Sequence, residues 1–291
     1  MTSTPTRRIL SVLPLLALLT LSASGAGAHP TFDAAPTTAG RPSPSAPPSV
    51  GAPATPSATP SASLSGAGTP APKSLAWYLA QVPDFPEAPP PQRVQLPKDG
   101  SAPFWFRVPT DQKVAFITID DGGMARPPAV IDFIREAHIP VTMFLNSPAA
   151  AEHTPYFKQI ESAGGVVENH TITHTSLKGR SYAFQKHEIC GAADKLEQLF
   201  GRRPVLFRPP FGNRDATTLK AAHDCGMKAV FHWTETVNEG IVRYQTPTKV
   251  VKPGEVLLMH FRPALMDDLL AALKAIHRSG LTPALLEEYV E

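Results

Sequence analysis

From Lys113 onward the chain alternates short apolar runs with stretches of helical periodicity. The longest run, Val114-Ala115-Phe116-Ile117-Thr118-Ile119, ends in Asp120-Asp121-Gly122-Gly123. It reads as a buried strand delivering two carboxylates to its C-terminal end, because strands covered on both faces are continuously apolar and ionised Asp is rarely set beside one without compensation. An Asp-Gly turn is the plainer alternative for these residues taken alone. Next, Val130, Phe133, Ile134 and Ala137 recur at i, i+3, i+4 and i+7, which predicts an amphipathic helix starting near Pro127 and Pro128. Residues 141–145 form the following strand. A helix through Tyr156 and Ile160 stops at Gly164-Gly165, where a left-handed cap is expected, and Val166-Val167 leads a strand into Glu168-Asn169-His170.

The same pattern runs to the C-terminus: a helix over 182–200, a strand at 206–207 running into Arg208, and a helix over 217–225. A strand over 229–233, a strand over 256–259 running into His260, and a helix over 265–276 closed by Gly280 follow. Six or seven strand-then-helix units predict a parallel sheet curling into a barrel, smaller or less complete than the eight-fold barrel of about 250 residues.

In such a barrel the C-terminal strand ends converge on one face. Asp120, Asp121, His170, Arg208 and His260 all fall at or just after those ends, from four strands. His170-Thr171-Ile172-Thr173-His174 spaces two imidazoles by four, which suits two metal ligands on one side of a helical turn. Such a pair alone is more often solvated; with Asp121 it becomes a His₂-carboxylate set with an open position, the catalytic type of site. A metal there lowers the pKa of coordinated water towards ~7, and Asp120 is placed to accept its proton. Arg208 sits on a rigid Pro209-Pro210-Phe211-Gly212 turn, either pairing with Asp120 or making a bridge at the rim. His260 supplies a proton donor from another strand.

The remainder of the chain narrows the picture. Residues 1–28 carry Arg7 and Arg8, an apolar run interrupted by Pro14, and Ala26-Gly27-Ala28, the three parts of a secretory signal. The run is too short for a stable membrane span. Residues 29–72 are mostly Pro, Ala, Ser, Thr and Gly, a disordered spacer or an inert leader. Residues 73–112 scatter Trp77, Tyr78, Phe85, Trp105 and Phe106 among prolines, packing on the barrel or offering faces to sugar rings. With 27 basic and 25 acidic residues, no nucleic-acid or anionic-membrane partner is implied. In an exported chain, the two cysteines, Cys190 and Cys225, favour a disulfide, or stay free if their helices are not neighbours.

The ordered set Thr118-Ile119-Asp120-Asp121-Gly122, His170-Thr171-Ile172-Thr173-His174, Arg208-Pro209-Pro210-Phe211-Gly212 and Leu258-Met259-His260 resembles the NodB-type polysaccharide deacetylases, carbohydrate esterase family 4. The resemblance covers residues 113–290. It implies a distorted (β/α)₇ barrel, with zinc or another divalent metal such as cobalt on Asp121, His170 and His174. It further implies Asp120 as base, His260 as acid, and the Phe211 N–H, on the turn begun by Pro210, as an oxyanion donor. By the same likeness Trp233 forms a pocket wall, but the Asp that normally accompanies this Trp and tunes the acid histidine is missing. Glu235 and Glu239 are the acids available in its place. The expected protein is a monomeric, secreted or wall-associated hydrolase of N-acetyl, alternatively O-acetyl, groups on a glycan such as peptidoglycan or chitin-like chains. Its rivals are a catalytically weak glycan-binding module and a hydrolase of small amides.

Overall fold

The computed structural model describes residues 69–290. The predicted leader, most of the predicted spacer and Glu291 lie outside the described residues. In chain order the elements are α1 (Leu75–Leu79), β1 (Phe104–Trp105), β2 (Val114–Asp121), α2 (Ala129–Glu136), β3 (Val141–Leu145), α3 (Ser147–Glu152), α4 (Thr154–Ser162) and β4 (Val166–Asn169). There follow α5 (Tyr182–Phe200), β5 (Leu206–Phe207), α6 (Ala216–Asp224), β6 (Ala229–Phe231), β7 (Glu235–Asn238), β8 (Ile241–Tyr244), β9 (Val256–His260), α7 (Leu265–Arg278) and β10 (Thr282–Ala284). Two 3-10 turns occupy Pro210–Gly212 and Leu286–Tyr289.

The strands lie side by side in the order β1-β6-β5-β4-β3-β2-β9-β7-β8, with β10 against the first residues of β2. Every pairing is parallel except β7 with β8. Side chains alternate between two buried layers. Val114, Phe116, Phe144, Leu206, Ala229, Phe231 and Val256 meet inside the curved sheet, plugged from the C-terminus by Leu286 and Tyr289. The intervening Ala115, Ile117, Ile119, Met143, Leu257 and Met259 pack outward on Phe133, Phe157, Leu269 and Leu273 of the helices. Both faces are therefore dry, which is why the strands read as unbroken apolar runs.

The curl is that of a (β/α)₇ barrel with an open seam. No hydrogen-bonded pairing joins the two ends of the sheet among the described residues. Instead the chain crosses from β6 to β7 in three residues, and β7 pairs with β9. Below that crossing the Val108 N–H donates to the Gly254 carbonyl at 2.8 Å and Arg107 bridges to Glu255. Gly254 has φ +80°, and a Cβ there would collide with the Val108 carbonyl, so this seam requires glycine. The residues preceding the barrel also dock elsewhere. Tyr78 is buried, donates to Asp267 at 2.7 Å and lies 5.6 Å from Phe133, while Trp77 and Phe85 pack on the same core.

Two expectations are corrected. The strand expected to reach residue 233 ends at Phe231, because the chain there bends across the seam. A β7–β8 hairpin that the sequence pattern does not show follows it, turned by Glu239 and Gly240 with φ of 55° and 72°, the positive pair that a tight two-residue hairpin needs. His170 to His174 is a loop and not a helical turn, with left-handed φ of 74° at Thr171 and 55° at His174. The disulfide between Cys190 and Cys225 is formed, tying α5 to the end of α6 across 35 residues, which stabilises by about 4 kcal/mol through chain entropy.

The floor of the barrel carries two acids. Glu168, inward on β4, accepts from Arg202 at 2.6 Å and from the N–H groups of Val205 and Leu206 at 2.8 and 2.7 Å. Glu287 accepts from the Thr142 hydroxyl at 2.9 Å, and its other carboxyl oxygen is buried without a partner. Burial raises both carboxyls well above the usual range, and the charge of Glu168 raises Glu287 further. At these two carboxyls the folded chain thus binds more protons than the unfolded one as pH climbs past about 4.3, so their contribution to stability falls in that direction. Urea unfolding is expected to show a loss of at least about 1 kcal/mol between pH 5 and pH 8, and a shallower slope in Glu287→Gln. An unchanged slope in that variant would remove Glu287 as its source.

Candidate active site

Period-two alternation decides which polar side chains meet. Asp120 follows Phe116 and Thr118 on the inward set of β2 and pairs in register with His260 at the end of β9. Asn169 is in register with Phe207, so the next residues, His170 and Arg208, also arrive side by side and inward. Asp121 would by alternation face the helices. Its φ of 76° turns the backbone left-handed and brings its carboxylate back over the barrel mouth.

There, Asp121 Oδ1 lies 3.5 Å from His170 Nε2 and 3.3 Å from His174 Nε2, while Oδ2 is 4.0 Å from His260 Nε2. Oδ1 is buried and makes no hydrogen bond, a close approach without a satisfied acceptor. The donor atoms of Asp121, His170 and His174 all lie within 4.8 Å of one another. His170 Nδ1 sits 2.6 Å from the Arg208 carbonyl, which can only accept, so Nδ1 is the donor there and Nε2 is the nitrogen turned towards Asp121. An orphaned carboxylate oxygen between two imidazole nitrogens fits a divalent transition metal. Burial pushes Asp121 upward, but His170 and His174 outweigh it and hold its carboxyl well below the usual range. Contact with Asp121 in turn raises His174, against the opposing effect of burial.

The left-handed residues around His174 are held by a group outside the sequence motifs. Glu188, buried on α5, accepts from the Ile172 N–H at 3.1 Å, the Thr173 N–H at 2.9 Å and the Thr173 hydroxyl at 3.0 Å. Asn146 reaches the His170 carbonyl at 2.5 Å, and Asn169 accepts from the Thr171 N–H at 2.9 Å. None of these partners had a signal in the sequence, since each lies on a different element from the loop it holds or presents a common polar residue.

Arg208 is fully buried. Its guanidinium donates to Asp120 at 2.6 Å, to the Thr118 hydroxyl at 2.8 Å and to the His232 carbonyl at 3.2 Å, and lies 4.3 Å from the Phe144 ring. Burial pushes the guanidinium down and Asp120 opposes this. The other oxygen of Asp120 points at the cluster of Asp121, His170 and His174, 3.8 Å from His170 Nε2. His260 is half-buried; burial pushes it down, Asp120 and Asp121 draw it up, and Arg262 and His170 oppose them.

Pro210 is buried, and Phe211, at φ 59°, projects its ring into solvent 4.7 Å from His174. The Gly212 and Asn213 N–H groups donate to Pro209 and Pro210, whereas the Phe211 N–H has no backbone acceptor among the described residues. Trp233 stands beside this turn, 5.9 Å from the Arg208 guanidinium. Glu235 is not at the site. It pairs in register with Leu257, three residues before His260, and its buried carboxyl accepts from the Thr234 hydroxyl and is raised to about 8 by burial, with Glu255 adding to the shift. Glu239 is in the hairpin turn, and no ion pair or hydrogen bond joins either acid to His260 among the described residues.

The polysaccharide deacetylase family matches residues 107–230. An uncharacterized protein of Streptomyces coelicolor is 38% identical over 188 residues, 63% of this chain and 75% of that one. A peptidoglycan-N-acetylglucosamine deacetylase of Bacillus cereus is 29% identical over 163 residues, and the match spans 54% of this chain and 59% of that one. In three dimensions the chain is similar to a CE4 family pseudoenzyme from Bacillus anthracis, with TM-score 0.56 and 20% identity over 66% of this chain and 70% of that one.

Because Glu188 fixes the loop that aims His174, Glu188→Ala is expected to weaken zinc binding about 10- to 100-fold, measured by competition with a chromophoric chelator. Unchanged affinity in a folded variant would show that the loop holds its shape without it.

Proposed function

The chain belongs to the polysaccharide deacetylase family, and we propose that it is an exported, divalent-metal-dependent hydrolase that removes N-acetyl groups from a glycan such as peptidoglycan or chitin-like chains. The observation that carries this reading is the unpartnered Asp121 Oδ1 between His170 and His174, beside a buried Asp120–Arg208 pair and within reach of His260.

A divalent metal bound by Asp121, His170 and His174 supplies Lewis acidity towards a carbonyl and a water. Hydrolysis adds water oxygen to the acetyl carbon and breaks its bond to nitrogen, giving acetate and an amine. Asp120, fixed by Arg208, takes the proton from the attacking water through its free oxygen. The Phe211 N–H donates to the carbonyl oxygen as negative charge gathers there. His260, across the β2–β9 pair from Asp120, hands a proton to the departing nitrogen. Pro209 and Pro210 keep the Phe211 turn rigid, and Trp233 walls the pocket. The disulfide and the N-terminal signal-like segment support export.

A glycan-binding module remains the second reading, favoured by one observation. The carboxylates that draw His260 up among the described residues are Asp120 and Asp121, both committed elsewhere, and Arg262 opposes them.

Acetate release from N-acetylglucosamine oligomers, with zinc and after chelation, separates the two. Release that stops with the chelator and returns with zinc is expected, and Asp120→Asn should lower it at least about 100-fold while the metal stays bound. Release indifferent to chelation would contradict the proposal, and binding without release would favour the module.

A further inference from the structure

The aromatic side chains at the barrel mouth exceed what the proposed reaction uses. Six large hydrophobic side chains are exposed among the described residues: Phe106, Met124, Tyr182, Phe211, Ile241 and Val250. Three of them border the site. Met124 lies three residues beyond Asp121, the Phe211 ring sits 4.7 Å from His174, and Phe106 packs on His232 with ring centroids 4.5 Å apart. Solitary exposed apolar residues need no explanation, but a group around a cleft marks contact with a ligand.

Phe106 is held from behind. His232 stacks on Trp233 at 3.9 Å with 17° between the planes, and its ring fills the space that a side chain at Gly212 would take. Phe106, His232 and Trp233 therefore make one continuous tier beside the Phe211 turn. Phe104 braces Phe106 edge-on at 5.3 Å, and the Arg214 guanidinium covers Phe104 at 3.4 Å. The His232 N–H donates to the Trp105 carbonyl at 2.8 Å, which locks the segment to the end of β6. Arg107 is occupied with the Pro253 carbonyl at 3.3 Å. What remains in water is a preoriented, uncharged ring, 44% exposed, continuous with the pocket wall.

Such a face suits the apolar side of a pyranose, which it can cover without ordering a flexible side chain. Resting on the deacetylase reading, we propose that Phe106 is a stacking subsite for a sugar ring next to the one that loses its acetyl group. Phe106 directly follows β1, the strand at the open edge of the sheet, and lies one residue before the family-matched segment.

The test compares wild type, Phe106→Ala and Phe106→Tyr for calorimetric binding of the N-acetylglucosamine pentamer and for acetate release from pentamer and monomer. In Phe106→Ala, pentamer affinity and the pentamer-to-monomer ratio of kcat/KM should each fall about tenfold, and Phe106→Tyr should restore both. Unchanged pentamer affinity in Phe106→Ala, or equal losses on monomer and pentamer, would overturn the assignment. Wild type that releases acetate, with Phe106→Ala indistinguishable from it, removes the subsite and leaves the deacetylase. Weakened pentamer binding in Phe106→Ala, in a protein that releases no acetate, does the reverse.

Discussion

The constraint on which this protein depends is that neighbouring residues of a strand face opposite sides. A barrel with a dry interior and a dry exterior can bring together at its mouth only every second residue of each strand. Asp120, His170, Arg208 and His260 obey that rule and arrive inward from four strands. Asp121 breaks it, and does so by a left-handed backbone that places two consecutive carboxylates over one cleft. A non-glycine residue held in that region costs of order 1–3 kcal/mol, and such strain is retained where surroundings over-determine it. Here a charge opposite His170 and His174 is what the strain secures.

The two acids then part company. Asp120 is tied to a guanidinium with no access to water, so neither can be removed singly without stranding the other; breaking such a pair costs about 3–5 kcal/mol. Asp121 has no Lys or Arg partner among the described residues, only imidazoles, and one of its oxygens makes no hydrogen bond. The different neighbours of adjacent, identical side chains are what the proposed roles, a held base for one and a metal ligand for the other, require.

Much of this was legible in the sequence, for identifiable reasons. Strands buried on both sides appear as apolar runs, and ionisable residues at their ends are out of place unless they gather, so the positions of the main parallel strands, and Asp120, Asp121, His170, Arg208 and His260 at their ends, could be read directly. The same double burial hid which residues face inward, because Phe116 and Ile117 look alike in a one-dimensional pattern. The His170–His174 segment was misread as a helical turn since nothing local announces left-handed Thr171 and His174; their support comes from Glu188, 14 residues after His174. Glu235 resembled a site acid by its place beside Trp233, yet the bend across the seam carries it down the strand to Glu255. The hairpin after it was missed because Glu239-Gly240 is a poor relation of the Asn-Gly and Asp-Gly pairs that usually signal such turns.

The claim most exposed to refutation is that Asp121, His170 and His174 converge on one ion. X-ray absorption spectroscopy of the zinc-loaded chain, with metal content measured on the same sample, addresses it directly. The account predicts one zinc per chain in an all nitrogen and oxygen shell with two imidazole ligands, at distances near 2.0–2.1 Å, and one imidazole fewer in His174→Ala. A shell with no imidazole, or one unchanged by that substitution, would contradict it.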